Sequence, residues 1–245
     1  SAVIRNWVQF PATIIIALTL LNADDYGSIS TSRPGMANPT SAVPAGLYQF
    51  EIGTNLDTSP GQDTTFTIPI LLRMGVYNNS ELQVGYANKY LTLGILYGGI
   101  SLIDGLENSV ILTTSLTNNN DDLTENNIFL PLAYSFQNGF LISGQASGTF
   151  FSKKDLDPVI NYSIALGNGF NDRTSWFIEL FQSHVTGREF KPADEPVLLD
   201  YGFTYLSENN IQFDISIGIS FQMDNSEMIE LSRFLEWGFS FRLPE

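Results

Sequence analysis

Cysteine is absent from the 245 residues, which removes disulfides and thiolate metal sites together. Positive charge is scarce, with 11 Lys and Arg against 26 Asp and Glu, a formal net charge of −15. Nucleic-acid binding requires clustered Lys and Arg, so nucleic acid is excluded as a partner. Histidine occurs once, at His184, which leaves little material for general acid–base catalysis, where His is the usual group. Long apolar runs are missing too. The longest, 13–21, is far short of the roughly 20 residues that a membrane-spanning helix needs. Charged residues make up 15% of the chain and aromatics 13%, and mean hydropathy is +0.03. A near-zero mean without a helical span fits a membrane β-barrel, where lipid-facing and lumen-facing residues cancel.

What the chain does contain is alternation. Over 211–222, Ile211, Phe213, Ile215, Ile217, Ile219 and Phe221 alternate with Gln212, Asp214, Ser216, Gly218, Ser220 and Gln222. Period two is the mark of a strand with one apolar and one polar face. Its length suits a tilted strand crossing a bilayer, which takes about 9–11 residues. Tyr201, Phe203 and Tyr205 begin the same pattern one turn earlier.

The N-terminal region reads differently. Arg5, the apolar run 13–21 and the small residue Ala23 before Asp24-Asp25 predict a secretory signal peptide over 1–23. A retained segment would instead be a tail, a plug or an added strand. Residues 24–45 are rich in Ser, Thr, Pro, Gly and Asn without periodicity, predicting an irregular periplasmic lead-in. Residues 46–245 form the predicted barrel domain.

Two stretches carry a resemblance: Thr31-Ser32-Arg33-Pro34-Gly35, and Val43-Pro44-Ala45-Gly46-Leu47-Tyr48-Gln49-Phe50-Glu51-Ile52-Gly53. Together they resemble the opening of the outer-membrane transporter family named "MetA-pathway of phenol degradation". That family begins with Thr-x-Arg-Pro, then Val-Pro-x-Gly, then a first strand bearing Gln-x-Glu-x-Gly. Leu71–Gly75 before Glu81–Gly85, and Phe177-Ile178-Glu179-Leu180, are similar to it as well. The acidic residues that flank Arg-Pro in the family are replaced here by Ser32 and Gly35. The resemblance implies transport of small, hydrophobic molecules across the outer membrane of a Gram-negative bacterium.

Period alone predicts strands at 46–55, 64–75, 81–87, 91–102, 109–117, 127–136, 140–151, 158–167, 174–183, 197–206, 211–222 and 232–242. These are twelve, an even number as single-chain bacterial barrels have. Pro69 and Pro131 fall inside strands and imply a bulge or bend, and Gly98-Gly99 blurs the fourth. Alternate linkers are short, while 118–126, 184–196 and 223–231 are long and polar. Outer-membrane barrels sort short periplasmic turns from longer external loops in this way. The fold expected is an all-β, antiparallel up-and-down transmembrane barrel with both termini periplasmic.

Parity assigns the faces. Phe50, Ile178, Leu235, Trp237, Phe239 and Phe241 point outward. Glu51, Arg73, Glu81, Gln83, Gln145, Glu179, Asp200, Asp214, Glu236 and Arg242 point inward, with Gln49 and Asn161, and become the candidate lumen-lining residues. Arg73 is expected beside Glu51 or Glu81, and 232–242 is expected to pair with 46–55. No enzyme, metal site or cofactor is indicated: His184 lies in a predicted external loop, and Asp121, Asp122 and Glu125 lack the fixed spacing of an EF-hand. The leading function is a channel for small molecules, with outer-membrane lipid and lipopolysaccharide around it and a small solute as ligand. The alternative is a structural barrel with a closed lumen, acting through an outer-membrane protein partner.

Overall fold

The computed structural model describes residues 28–32, 35–117, 123–188, 195–208, 210–224 and 227–244. The signal-like segment 1–23, the Arg33-Pro34 pair and the Asp121-Asp122 pair lie outside these.

Strands β1 (Leu47–Thr58), β2 (Thr65–Thr67) and β3 (Ile70–Tyr77) come first, followed by β4 (Ser80–Ala87) and β5 (Tyr90–Ile103). Next are β6 (Leu106–Thr117), β7 (Thr124–Ser135), β8 (Phe140–Phe151) and β9 (Val159–Gly169). The last four are β10 (Thr174–Val185), β11 (Val197–Glu208), β12 (Ile211–Asp224) and β13 (Glu227–Pro244). Apart from β2 and β3, sequence neighbours pair antiparallel, and β13 closes on β1 from Leu47↔Pro244 to Thr58↔Arg233. Both β2 and β3 pair with β1, so they are one stave in two pieces. The result is a closed barrel of twelve staves. Closure matters because an unpaired strand edge in hydrocarbon costs several kcal/mol per group.

Proline explains the break between β2 and β3. Pro69 has no N–H to give to the ladder, and only its carbonyl is used, accepting from the Gly53 N–H at 3.0 Å. Pro131 acts more mildly. The β6–β7 ladder skips from Asn108↔Leu132 to Ile111↔Phe129 and resumes in the same register. The ambiguity at Gly98-Gly99 is a bulge: the β5–β6 register shifts between Tyr97 and Ile100, and Gly99 takes φ 69°.

One end of the barrel carries the connections 78–79, 104–105, 136–139, 170–173 and 209–210, all short. Asn79 sits there at φ 60°, a region Asn tolerates better than most residues. The opposite end carries most of the long loops, with one correction. Residues 223–231 do not form a large loop, because β12 and β13 stay paired to Asp224↔Glu227. A one-residue register slip at Ser220/Phe221 lets that hairpin continue. The β4–β5 connection is a tight turn at 88–89 with Asn88 at φ 57°, as the expected strands 81–87 and 91–102 imply.

That tight turn leaves the wall low beside β2. Strand β4 stops at Ala87, so β2 has a ladder to β1 and none toward β4 among the described residues. Around the rest of the circuit the outer wall is apolar. Ile95, Leu112, Ile164, Ile215 and Ile217 are all exposed, far more contiguous apolar surface than a soluble monomer shows. At the short-turn end Phe50 and Phe241 stack at 5.1 Å, and Phe241 and Phe239 at 5.8 Å, as an interfacial girdle does.

Candidate functional site

Alternation places every second residue of each strand in the lumen. Near the short-turn end these are Gln49 and Glu51 on β1, Arg73 on β3, and Glu81 and Gln83 on β4, all buried. The Arg73 guanidinium lies between the two carboxylates. Its Nε and Nη2 donate to Glu81 at 2.7 and 2.9 Å, and Nη1 donates to Glu51 at 3.1 Å. The remaining two N–H groups reach backbone carbonyls, Ser30 O at 2.7 Å and Ser41 O at 3.1 Å. All five donors of the arginine are therefore used.

Those two carbonyls belong to the N-terminal segment, and this corrects the expected periplasmic lead-in. The segment is irregular, as its composition implied, but its described part runs inside the barrel. It circles the wall. The Val43 N–H donates to Glu81 at 2.6 Å, and the Gly99 N–H on β5 donates to Thr40 O at 2.6 Å. The Ser109 hydroxyl on β6 donates to Pro39 O at 2.9 Å. Next come Asn38 N–H to Gln145 on β8 at 2.9 Å and Met36 N–H to Glu179 on β10 at 2.6 Å. Gln212 on β12 donates to the Thr31 hydroxyl at 2.8 Å, and the Ser32 N–H returns to Glu51 on β1 at 3.0 Å. Arg73 thus clasps both ends of this run of backbone, described at 30–32 and 35–43 and hereafter the collar.

An irregular strand in a lumen brings backbone N–H and C=O groups that must be matched. Here carboxylates and carboxamides of the wall accept the N–H groups, while Arg73, Gln49 and Ser109 donate to the carbonyls. This is the physical reason for burying Glu51, Glu81 and Glu179. Two glycines make room: a Cβ on Gly75 would stand 2.0 Å from Pro44 O, and one on Gly98 2.5 Å from Thr40 O.

The ten candidate residues do not form one site. Glu51, Arg73, Glu81 and Gln83 share a network, with Gln83 donating to Glu81 at 2.7 Å. Gln145 and Glu179 hold the collar elsewhere. Asp200 is buried across the ladder from Glu179, and Asp214 is buried on β12. Glu236 accepts from Asn55 at 2.9 Å. Arg242 is buried at the short-turn end, its N–H donating to Asn210 O at 2.9 Å. Inward aromatics escaped the sequence reading. The Phe177 ring covers Gly202, and the Phe234 ring covers Gly218, where an added Cβ would meet the rings at 2.4 and 2.2 Å. Their shared parity with Glu179 and Glu236 was the available signal.

Beyond the collar, toward the long-loop end, lies a cavity of about 350 Å³. Leu71, Ile111 and Phe129 give it apolar surface. Its polar groups are largely bonded to one another: Asn127 to Thr113 at 3.1 Å and Thr149 at 2.7 Å, and Thr92 to Ser115 at 2.8 Å. The cavity also reaches Pro69, Ile70 and Tyr86, and Ile70 and Tyr86 are exposed on the outer wall. One side of it therefore lies against the low wall beside β2. His184 is elsewhere. It ends β10 rather than lying in a loop, with the outward parity of Ile178 and Leu180, and its Nδ1 is 2.7 Å from Glu195 Oε1.

No protein-family model matches the chain, and no curated protein sequence matches it. Solved structures do. The COG4313 outer membrane channel from Pseudomonas putida F1 superposes with a TM-score of 0.63 at 10% identity, over 86% of this chain and 99% of that one. The NanC porin gives 0.60 at 10% identity, over 78% and 98%. The CymD monoaromatic hydrocarbon channel gives 0.57 at 8% identity, over 83% and 90%. The likeness is one of architecture: this chain folds as a twelve-stave barrel of the kind built by outer-membrane porins and channels.

Proposed function

We propose that the barrel is an outer-membrane channel for small, uncharged and mostly apolar molecules, set with its short turns toward the periplasm. The observation that carries this reading is the cavity above the collar, set against the low wall beside β2. A lumen lined by groups already hydrogen-bonded to one another asks few bonds of an occupant. Stripping water from a charged solute there would leave its charge unmatched, at a cost far above that of an apolar one. The collar lines and narrows the short-turn end of the lumen, and in this reading the low wall beside β2 offers an apolar solute a route that a hydrated ion cannot use. The neighbouring channels support a solute-conducting reading, and CymD is itself described as a monoaromatic hydrocarbon channel. Residues 1–23 are read as the export signal of such a protein.

The second reading, a structural barrel with a closed lumen, draws on the dense bonding of the collar. Uptake of a neutral monoaromatic solute into proteoliposomes separates the two. The channel reading expects uptake above that of protein-free vesicles, and the structural reading expects none. Gly85→Phe refines the test. Gly85 lines the cavity, and a Cβ there meets only ordinary contacts at 3.5 Å or more. The ring is expected to fill the cavity and reduce uptake to the protein-free level while the barrel still folds. Unchanged uptake in this variant would place the solute path elsewhere.

A further inference from the structure

The two neighbouring turns 104–105 and 136–139 at the short-turn end enclose a cleft of about 770 Å³ that plays no part in the solute path. Its floor is aromatic. Tyr134 and Phe136 meet edge to face at 4.7 Å and 86°, and both remain exposed. The turns that frame it are built by Gly105 at φ 80° and Gly139 at φ 85°. The Ser135 N–H donates to Gly105 O at 2.9 Å, which ties the second turn to the first. The cleft contains one charged side chain, Asp104, and no cation. Asn138 accepts the Phe140 N–H through Oδ1, which leaves its NH₂ as a donor, and Gln137 adds another amide. Above the cleft the outer wall is apolar, with Leu130, Leu132 and Ile142 exposed.

From this arrangement we infer that the cleft is a phospholipid headgroup site selective for an ammonium-bearing lipid, phosphatidylethanolamine in chemical class. A carboxylate that shares a cleft with two exposed aromatic rings attracts a cation, because the quadrupole of an open ring face and the charge act in the same direction. The amide N–H groups of Gln137 and Asn138 suit the phosphate of the same headgroup, since a phosphate oxygen is an acceptor only. The acyl chains continue along Leu130, Leu132 and Ile142, at the depth where interfacial aromatics normally lie. An anionic glycerol headgroup fits poorly, because it brings no cation to Asp104 and adds to a chain already at −15. The site rests on the membrane placement proposed above, with the short-turn end at the inner leaflet, but not on what passes through the lumen.

The test uses the full chain, purified in mild detergent and exposed to equal amounts of phosphatidylethanolamine and phosphatidylglycerol. Native mass spectrometry then counts the lipid that stays bound. Preference for the ethanolamine lipid is expected to be about fivefold, the factor that one exposed cation–π contact supplies. Asp104→Asn and Phe136→Leu are each expected to remove most of the preference. Neither residue lies in the lumen network, so folded yield and solute uptake should stay at the wild-type level. Equal retention of the two lipids, or an unchanged preference in Asp104→Asn, would overturn the site. Absence of uptake by the parent chain, with its lipid preference intact, would count against the channel reading alone. Binding of a periplasmic protein at these turns in place of lipid, seen as loss of lipid preference only in its presence, would assign the cleft to that partner and overturn the lipid reading.

Discussion

Replacing Arg73 with methionine is expected to free the collar and to destabilise the barrel by about 3–5 kcal/mol, the usual effect of removing one partner from a buried ion pair. Methionine keeps much of the side-chain length while removing all five donors. Glu51 and Glu81 would remain buried with no counter-charge, and Ser30 O and Ser41 O would lose their donor. Three readouts should move together. Residues 30–43 become accessible to protease, ion conductance in planar bilayers rises, and urea unfolding of the folded barrel shifts to lower concentration. Arg73→Lys should fall between, since an ammonium cannot reproduce the bidentate contact with Glu81. The companion variant Arg73→Met/Glu51→Gln/Glu81→Gln removes the stranded charges and should recover stability without restoring the clasp. If the single variant keeps a protected collar, Arg73 is not what holds it.

The second large effect concerns the outer wall. Ile217 lies midway along β12, 57% exposed, with Tyr201 and Leu235 beside it on the flanking strands. Ile217→Arg is expected to cost about 2–4 kcal/mol, as a charge at the bilayer midplane does, and to lower the yield of folded barrel. Glu236→Gln, on the lumen side of the neighbouring strand, should assemble nearly as well as the parent chain. It keeps an acceptor for Asn55. The difference between folded and heat-unfolded mobility on a gel reports assembly. Equal yields from the two variants would mean that the faces are assigned wrongly.

The sequence carried the barrel well, for a physical reason. Period two is imposed on each stave separately by lipid on one side and lumen on the other, so 211–222 or 174–183 can be recognised without knowing their neighbours. Closure of 46–55 on 232–242 followed from the same logic, since a free edge is forbidden, and Leu47–Thr58 does pair with 233–244. Arg73 could be placed between Glu51 and Glu81 because sequential strands put their inward residues side by side. The collar could not be found this way. Residues 28–45 have no period, and the contacts that fix them reach from Ser32 to Glu51 and from Met36 across 143 positions to Glu179. Composition registers only that such a segment is irregular. The clue was indirect: a lumen with buried acids and too few cations needs some other donor, and backbone N–H groups supply it. The low wall beside β2 was hidden for a similar reason. Pro69 announced a break, but the length of β4 relative to β2 is a property of register, which single-strand alternation does not contain.

The claim that solute passes the wall beside β2 while the collar stays closed is tested most directly by locking the collar. The chain has no cysteine, so a pair introduced at Asn38 and Gln145, which are hydrogen-bonded at 2.9 Å, can be joined by a disulfide or a short bifunctional linker without competing thiols. Uptake of a neutral monoaromatic solute is then measured in proteoliposomes, locked and reduced, beside ion conductance in planar bilayers. The side route predicts the same uptake in both states, with conductance low throughout. Uptake that disappears on locking and returns on reduction would show that the solute passes through the collar, and would contradict the account.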